Sequence, residues 1–201
     1  MKITINDQTF DITADMEAKL KKALGINKRQ LSDVAIGSTF TVADIEFIKF
    51  DEKNGAVSAV TRDVLFKNKF DSRTNNFKKS YLFEYLAREV LPKVQDAVGY
   101  NNILAFETDL TSLDGLNDYG VLYSKVSLPT FDFYRKHVRI FDKYKASRSW
   151  WLSTPHTTLV HGGETSICIA CTHGSVRRES GGCSGYGVRP FFTFKSSIFV
   201  S

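Results

Sequence analysis

Apolar and polar positions alternate over short distances at the start of the chain. Residues 1–12 alternate on both sides of a polar Asn6-Asp7 pair, which predicts a small β-hairpin. Residues 14–24 instead place apolar side chains every three or four positions and are followed by Gly25, as in an amphipathic helix. We expect this hairpin and helix to form an N-terminal appendage over residues 1–30, followed by a main domain over residues 31–201.

The next segment carries strand signals and then the clearest helix signal. Residues 36–66 are rich in β-branched and aromatic side chains and contain a Lys53-Asn54-Gly55 turn, which predicts a hairpin. Residues 80–91 repeat apolar positions at helical spacing, with Ser80 as the cap and Pro92 at the end or at a kink.

The rest of the chain is predicted to be loop-rich and then strand-rich. Residues 100–126 contain an Asp114-Gly115 turn, and a further helix is expected from Ser127-Leu128-Pro129 to about His137. Strands are expected in the last third, at 150–152, 165–172, 175–179 and 188–194. With 16 Phe, 8 Tyr and 2 Trp, the aromatic content suits sheets more than helical bundles, so we expect an α+β fold.

Net charge adds a constraint on partners. The formal charge is +5, which permits contact with nucleic acid or with an acidic protein surface. Basic residues concentrate in two stretches, 67–79 and 135–148, yet neither stretch resembles a known DNA-binding motif, so no direct specific DNA binding is expected. Solvated faces beside helices are the simpler interpretation of both.

The sequence also gives expectations about location. The first ten residues lack the apolar run of a signal peptide, and no stretch approaches the length of a membrane helix. We therefore expect a cytoplasmic protein that makes no membrane contact. All three cysteines fall between positions 168 and 183, and in a reducing compartment such clustering near histidine favours a metal site over a disulfide.

Three strings near the C-terminus resemble a domain family of unknown function that is common in Firmicutes and their phages. They are Ser149-Trp150-Trp151-Leu152-Ser153-Thr154-Pro155, Thr172-His173-Gly174-Ser175-Val176 and Tyr186-Gly187-Val188-Arg189-Pro190-Phe191. The resemblance covers roughly residues 34–195 and departs from the family pattern at Ser153-Thr154 and His173. It implies a C-type-lectin or formylglycine-generating-enzyme type of fold, with two antiparallel sheets.

The residues within these strings support a structural role. Two adjacent Trp rings need a large apolar site and a partner for their N–H groups, which suits a core between sheets. We expect Arg189, just before Pro190, to fix a loop through hydrogen bonds to carbonyls or to a carboxylate.

The cysteine and histidine residues of the last third predict a structural zinc site. If His173-Gly174 is a two-residue turn, Cys171 opposes Val176 and lies on the core face, while Cys168 points away from that face. The returning strand then brings Cys183 to the loop that holds His156 and His161. The predicted ligands of a tetrahedral Zn²⁺ are therefore His156, His161, Cys168 and Cys183.

Two alternatives to this zinc site remain open. One is a ligand set of Cys168, Cys171, His173 and Cys183, although a regular strand places residues three apart on opposite faces. The other is that the thiols are small buried hydrophobic groups and the histidines lie on surface loops.

A non-catalytic binding protein is the function that the sequence favours. It has no phosphate-binding glycine loop, HExxH zinc motif or GxSxG nucleophile motif, although a Cys168 or Cys183 thiol paired with His161 is conceivable. The chain is similar in size and metal-residue content to zinc-carrying type II-A anti-CRISPR proteins. We therefore expect a phage or mobile-element protein that binds a host defence protein, in the sharpest version an inhibitor that stops a Cas9-type nuclease from loading DNA. The alternatives are a phage tail or surface display module that binds a host receptor or glycan, and a cysteine- or zinc-dependent enzyme.

Overall fold

The structure is a computed structural model that describes residues 2–5, 8–11, 13–16, 19 and 28–201. The predicted N-terminal hairpin is confirmed, since Lys2–Ile5 pairs antiparallel with Gln8–Asp11. Residues 14–16 and 19 are helical, as expected. The Asn6-Asp7 turn and the predicted helix end at Gly25 lie outside the described residues, and the division at residue 30 stays a prediction.

The described part of the chain is mostly strand. In chain order the strands are β1 (Lys2–Ile5), β2 (Gln8–Asp11), β3 (Arg29–Gln30), β4 (Thr39–Val42), β5 (Ile45–Lys53), β6 (Ala56–Thr61), β7 (Phe66–Lys67), β8 (Ile103–Leu104), β9 (Phe106–Asp109), β10 (Val121–Ser124), β11 (Trp150–Pro155), β12 (Ser166–Ala170), β13 (Val176–Ser180), β14 (Gly187–Val188), β15 (Phe191–Lys195) and β16 (Phe199–Val200). The helices are α1 (Tyr81–Tyr85), which continues through a π turn (Leu86–Val90) into α2 (Leu91–Val98), then α3 (Phe131–Lys136) and α4 (Val138–Lys143). Short 3₁₀ turns occupy Leu31–Asp33, Phe77–Lys79, Tyr100–Asn102 and Leu159–His161.

Two five-stranded sheets organise these strands, which confirms a mixed α+β fold with antiparallel sheets. The first sheet has the order β4-β5-β6-β15-β8, and the second has the order β13-β12-β11-β14-β7. Their pairings are antiparallel except that β11 runs parallel to β14. Strands β9 and β10 form a separate antiparallel ribbon.

Arg189 lies where the two sheets are joined. Strand β6 leaves the first sheet and leads to β7 in the second, while β14 leaves the second sheet and leads to β15 in the first. The two segments stay paired through this corner, because Thr61 N–H donates to the Pro190 carbonyl at 3.1 Å and Leu65 N–H donates to the Val188 carbonyl at 2.9 Å. The guanidinium of Arg189 fills the corner and donates to the carbonyls of Thr61 (2.8 and 3.0 Å) and Arg62 (2.9 Å).

The surroundings of Arg189 are otherwise aromatic. Its side chain is buried, and its guanidinium carbon lies 4.9 Å from the Trp150 ring centre and 5.2 Å from that of Phe141. Burial lowers the pKa of Arg189 to about 10, so it remains a cation at neutral pH. The predicted role of Arg189 is confirmed: it fixes the chain through carbonyl groups.

Both faces of β11 are buried, so this strand separates two cores. On one face Trp151 packs 4.8 Å from Tyr186 between ring centres and donates its indole N–H to the Asn68 carbonyl at 2.9 Å. On the other face Trp150 packs 5.4 Å from Phe141. Helices α1 and α2 cover the first core, and α3 and α4 cover the second. Each buried large apolar side chain contributes about 1.5–3 kcal/mol relative to exposure.

Several predicted elements are confirmed with changed boundaries. Asn54 and Gly55 both have positive φ, as a two-residue Asn-Gly hairpin turn requires. Ser80 caps α1 by accepting from Phe83 N–H at 3.1 Å. The helix passes through the π turn and continues past Pro92 to Val98, because Pro92 lies in the first turn of α2, where a missing N–H is tolerated.

Two boundaries were wrong. The helix expected at Ser127 begins instead at Phe131, where the Thr130 hydroxyl accepts from Phe133 N–H at 3.0 Å. Ser127 is extended, because its backbone pairs with Phe191 in the sheet. The interval 100–126 was expected to be mainly loop but contains β8, β9 and β10, whose few residues give too short an alternation to be recognised.

None of the helices in the described residues combines the length and the apolar character that crossing a membrane requires.

Replacing Arg189 with Met tests the corner. Arg189→Met leaves the carbonyls of Thr61 and Arg62 without their donors, so the free energy of unfolding should fall by about 2–3 kcal/mol. Chemical denaturation measures the change. Arg148→Met, at an exposed arginine, is the control and should change the value by less than about 0.5 kcal/mol. Equal effects of the two substitutions would contradict the assigned role of Arg189.

Candidate functional site

Strand β12, which carries Cys168, pairs with β13 in a different register from the one predicted. Ala170, not Cys171, opposes Val176, and Cys168 opposes Arg178. The turn contains three residues, 172–174, because Cys171 N–H donates to the Ser175 carbonyl at 2.8 Å and Gly174 takes a φ of 92°. The two-residue His173-Gly174 turn was therefore wrong, and the pairing shifts by one position.

Cys168 is buried despite pointing away from the Ile167 and Ile169 face. That opposite orientation is confirmed, but the second face of β12 packs into the second core, beside Trp150 and Leu152. Cys168 has no exposed surface, and burial raises the pKa of its thiol to about 12. In this position the thiol behaves as a small hydrophobic group.

The other three predicted zinc ligands lie in different surroundings. Cys183 is exposed in the loop between β13 and β14. His156 is half-buried, with its Nδ1 lacking a hydrogen-bond partner, and His161 is exposed. Within the described residues, no three His, Cys, Asp or Glu side chains are arranged to hold a metal ion. The zinc site stays a prediction, and it would require Cys168 to become accessible from the core.

His161 contacts a carboxylate that sequence analysis identified only as part of a turn. Its Nδ1 lies 3.0 Å from Oδ2 of Asp114, and the Thr157 hydroxyl donates to the same oxygen at 2.5 Å. The Ser112 hydroxyl donates to Oδ1. The hydroxyls of Ser112 and Thr157 and the ring of His161 hold the pKa of Asp114 well below its usual range. We call this group of four residues the loop clasp, because it joins residues 111–120 to residues 156–165.

A second anchor lies beneath the same two loops. Asn75 is fully buried, and its Nδ2 lies 2.7–2.8 Å from the carbonyls of Thr157, Gly163 and Ser166. Its Oδ1 accepts from the hydroxyl of Tyr119 at 2.7 Å. One amide side chain thus fixes both loops from below, while the loop clasp joins them at the surface.

The surface formed by residues 106–124 and 156–165 is called the loop face below. It contains five carboxylates and no Lys or Arg, and all five are exposed: Glu107, Asp109, Asp114, Asp118 and Glu164. With the histidines neutral, its formal charge is −5. The whole chain carries +5, so all other residues together carry +10. The charge of the protein is therefore divided between an acidic face and a basic remainder.

The loop face also exposes large apolar side chains. Tyr123 is 70% exposed and lies opposite Glu107 on the β9–β10 ribbon, so both project from its outer side. Val160, in the 3₁₀ turn beside His161, is 68% exposed. The remaining exposed apolar residues of the loop face are Leu113, Val121 and Leu159. Val121 and Tyr123 lie on the same face of β10, and apolar side chains exposed together mark interaction surfaces more than single exposed residues do.

A cavity of about 440 Å³ opens at the edge of the loop face, where the β9–β10 ribbon meets α3. Its walls combine polar and apolar side chains, and the apolar ones include Phe106, Leu128, Pro129, Phe131, Phe133 and Phe191. Its charged lining residues are Glu107, Asp109, Asp132 and Arg135. Arg135 pairs with Asp132 at 3.0 Å, and its guanidinium carbon lies 5.6 Å from the Phe131 ring centre.

The second basic stretch found in the sequence belongs to α3, α4 and the segment that follows. All six of its basic residues are exposed: Arg135, Lys136, Arg139, Lys143, Lys145 and Arg148. Besides the Arg135 pair, Lys136 lies 3.5 Å from Asp51 in an exposed ion pair. Exposed pairs of this type contribute little to stability, as expected of a solvated face.

The loop clasp contains one part of an acid–base arrangement but no cysteine. Asp114 orients the His161 ring, and that is the third residue that a Cys–His pair would require. Cys168 is in the core, however, and among the described residues no hydrogen bond joins His161 to either Cys168 or Cys183. The arrangement can position a histidine and bind a partner's donors.

The loop face is not apparent from the net charge or from the two basic stretches, because its carboxylates come from two separate segments. Asp114 was identified as a turn residue, and Asn75 and Glu107 were not singled out. The absence of Lys and Arg from residues 106–124 is visible in the sequence, but only the fold brings residues 156–165 beside them. Searches of protein-family models, curated proteins and solved structures find no match to the chain.

Thiol labelling tests the placement of the cysteines and the predicted zinc together. In the described arrangement Cys183 should react with a thiol reagent within minutes, whereas Cys168 should react only after unfolding, because it is buried as a neutral thiol. Labelling is measured by mass spectrometry before and after a chelator, alongside elemental analysis. About one zinc per chain, with Cys183 protected until the chelator is added, would support the zinc site and contradict this placement.

Neutralising Asp114 tests the loop clasp. Asp114→Asn replaces the charged carboxylate that accepts three hydrogen bonds with a neutral amide. Hydrogen exchange of the backbone amides in residues 111–118 and 157–164 should therefore accelerate roughly threefold to fivefold. Asp96→Asn, at an exposed carboxylate of α2, is the control and should leave both loops unchanged.

The pH dependence of the wild-type protein follows from the lowered pKa of Asp114. The ionised Asp114 carboxylate stabilises the loops fully at any pH above its ordinary pKa of 3.8. This stabilisation is lost only when the pH falls through the lower pKa of the folded state. Loop protection should therefore persist from neutral pH to about pH 4. Loss of protection well above pH 4 would contradict this assignment to Asp114.

Proposed function

We propose that the protein is a non-catalytic binding protein whose partner contacts the loop face. The observation that carries this proposal is the combination of five exposed carboxylates, no Lys or Arg, and clustered exposed apolar side chains on one surface. Interfaces typically combine an apolar, aromatic centre with complementary charge around it. Asn75 and the loop clasp hold the surface in place before binding, which lowers the entropic cost of association.

Charge complementarity indicates the chemistry of the partner. The loop face repels phosphate groups, so a nucleic acid is not its ligand. A basic protein surface, such as a groove that receives nucleic acid, complements it. The net charge of +5 alone favours contact with an acidic partner, but an interface responds to the charge nearest to it, and that charge is −5 here.

We further propose that this partner is a host defence protein and that the protein acts in the cytoplasm of the host cell. A Cas9-type nuclease is the first case to test, because its channel for the guide–target heteroduplex is positively charged. The resemblance of the C-terminal strings to a domain family of Firmicutes and their phages supports the phage setting. It also supports a C-type-lectin-like fold as the finer description of the two sheets.

The alternative is a phage display module that binds a receptor or glycan. The rigid two-sheet scaffold that carries anchored loops favours it, since such scaffolds position variable binding loops. Binding to a glycan would depend little on salt, whereas binding to a basic protein would weaken strongly as salt screens the carboxylates.

The test uses reversal of charge on each side of the molecule. Glu107→Lys combined with Glu164→Lys reverses two exposed carboxylates of the loop face, and Arg139→Glu combined with Lys145→Glu reverses two exposed cations of the basic stretch. Association with a purified, guide-loaded Cas9-type nuclease is measured at two salt concentrations, together with DNA loading. The loop-face variant should associate at least about tenfold more slowly than wild type, and the basic-stretch variant within about twofold.

Four outcomes contradict the proposal. The opposite pattern would assign binding to the basic stretch. Wild-type protein that does not bind the nuclease at low salt, or that binds without slowing DNA loading, would refute the inhibitor mechanism. Binding to purified cell-wall glycan instead would support the display module.

A further inference from the structure

We propose that the cavity at the edge of the loop face binds an organic cation with an apolar stem, namely the guanidinium or ammonium side chain of a partner's arginine or lysine. The identity of the partner that carries this side chain rests on the proposed function. The chemistry of the cavity stands on its own residues.

The size and walls of the cavity suit an apolar stem. Its volume of about 440 Å³ falls within the range of sites that enclose small ligands. Phe106 and Phe133 each contact Phe191, with ring centres 4.8 and 4.9 Å apart, so the three rings form one continuous wall. The CH₂ groups of an arginine or lysine pack well against such a wall while the charged end stays near polar groups.

The charge of the cavity suits a cation. Three carboxylates and one guanidinium line it, which gives a net charge of −2. Asp132 is already paired with Arg135, whereas no described residue forms an ion pair with Glu107 or Asp109. The negative faces of the Phe rings add attraction for a cation at close range.

The cavity already contains one example of this recognition. Arg135 of the chain itself lies over the Phe131 ring and pairs with the Asp132 carboxylate. Glu107, which lines the ribbon side of the cavity, has no such cation among the described residues. A second guanidinium or ammonium group placed there would repeat the arrangement with Glu107 as its carboxylate.

The carboxylates of the cavity do not suit a metal ion. In the part of the chain that the structure describes, no three acidic, His or Cys side chains are arranged to hold one. Thr111 donates from both its N–H (2.8 Å) and its hydroxyl (2.6 Å) to one oxygen of Asp109, which fixes that carboxylate away from a shared centre. A delocalised organic cation needs no such convergence.

The experiment uses single amino-acid derivatives, so its result does not depend on the partner. Nα-acetyl-arginine amide is titrated into the wild-type protein and followed by NMR, with Nα-acetyl-citrulline amide as the uncharged analogue of the same shape. The arginine derivative should bind with a Kd of about 1 mM and shift the signals of Phe106 and Phe133, and the citrulline derivative should bind at least about tenfold more weakly.

Two matched variants locate the site. Glu107→Gln removes the unpaired carboxylate of the cavity and should weaken arginine binding at least about fivefold. Glu164→Gln removes an exposed carboxylate of the loop face that does not line the cavity and should leave binding unchanged. Both residues are exposed, so neither substitution should affect folding.

Equal binding of arginine and citrulline, or equal effects of the two variants, would overturn the assignment. That result would leave the partner contact of the loop face unaffected, since that contact is measured by association with the nuclease and not by binding of the arginine derivative. Conversely, arginine binding that depends on Glu107, in a protein that does not bind a nuclease, would confirm the cavity and refute only the proposed partner.

Discussion

Arg189 holds the corner at which paired strands pass from one sheet to the other. Two segments, 61–65 and 188–190, change sheets side by side, and a bend of this kind leaves backbone carbonyls without strand partners. The planar guanidinium supplies donors to two successive carbonyls and lies over the adjacent rings of Trp150 and Phe141. Without this group, the angle between the sheets, and therefore the two cores on either side of β11, would lose their fixed geometry.

The loop face depends on that geometry through a series of contacts. Strand β11 continues directly into the loop that carries His156 and His161, so the position of the corner sets the position of the loop. Asn75 then ties this loop to Tyr119 from beneath, and Asp114 joins the loops at the surface. A surface built from two irregular segments thereby becomes a fixed arrangement of carboxylates and exposed apolar groups, as binding sites on rigid scaffolds generally require.

The division of charge explains how one small protein can be basic in total and acidic where it meets a partner. The loop face carries −5 and the remaining residues carry +10, so the averaged charge describes neither surface. At physiological salt, charges separated by more than about 8 Å are largely screened from one another. A partner near the loop face therefore experiences mainly its carboxylates, with Arg135 of the basic stretch at the edge of that surface.

The sequence by itself determined the features that depend on neighbouring residues. The Asn54-Gly55 turn, the Ser80 cap, the N-terminal hairpin and the strands of the last third follow from local backbone preferences and from alternation. Tertiary structure alone decided the rest. Cys168 was expected to face a metal site, but α3 and α4 cover that face of β12 and convert it into core. His161 meets Asp114 across 47 positions, and local patterns carry no information about such contacts because they depend on how the sheets turn at Arg189.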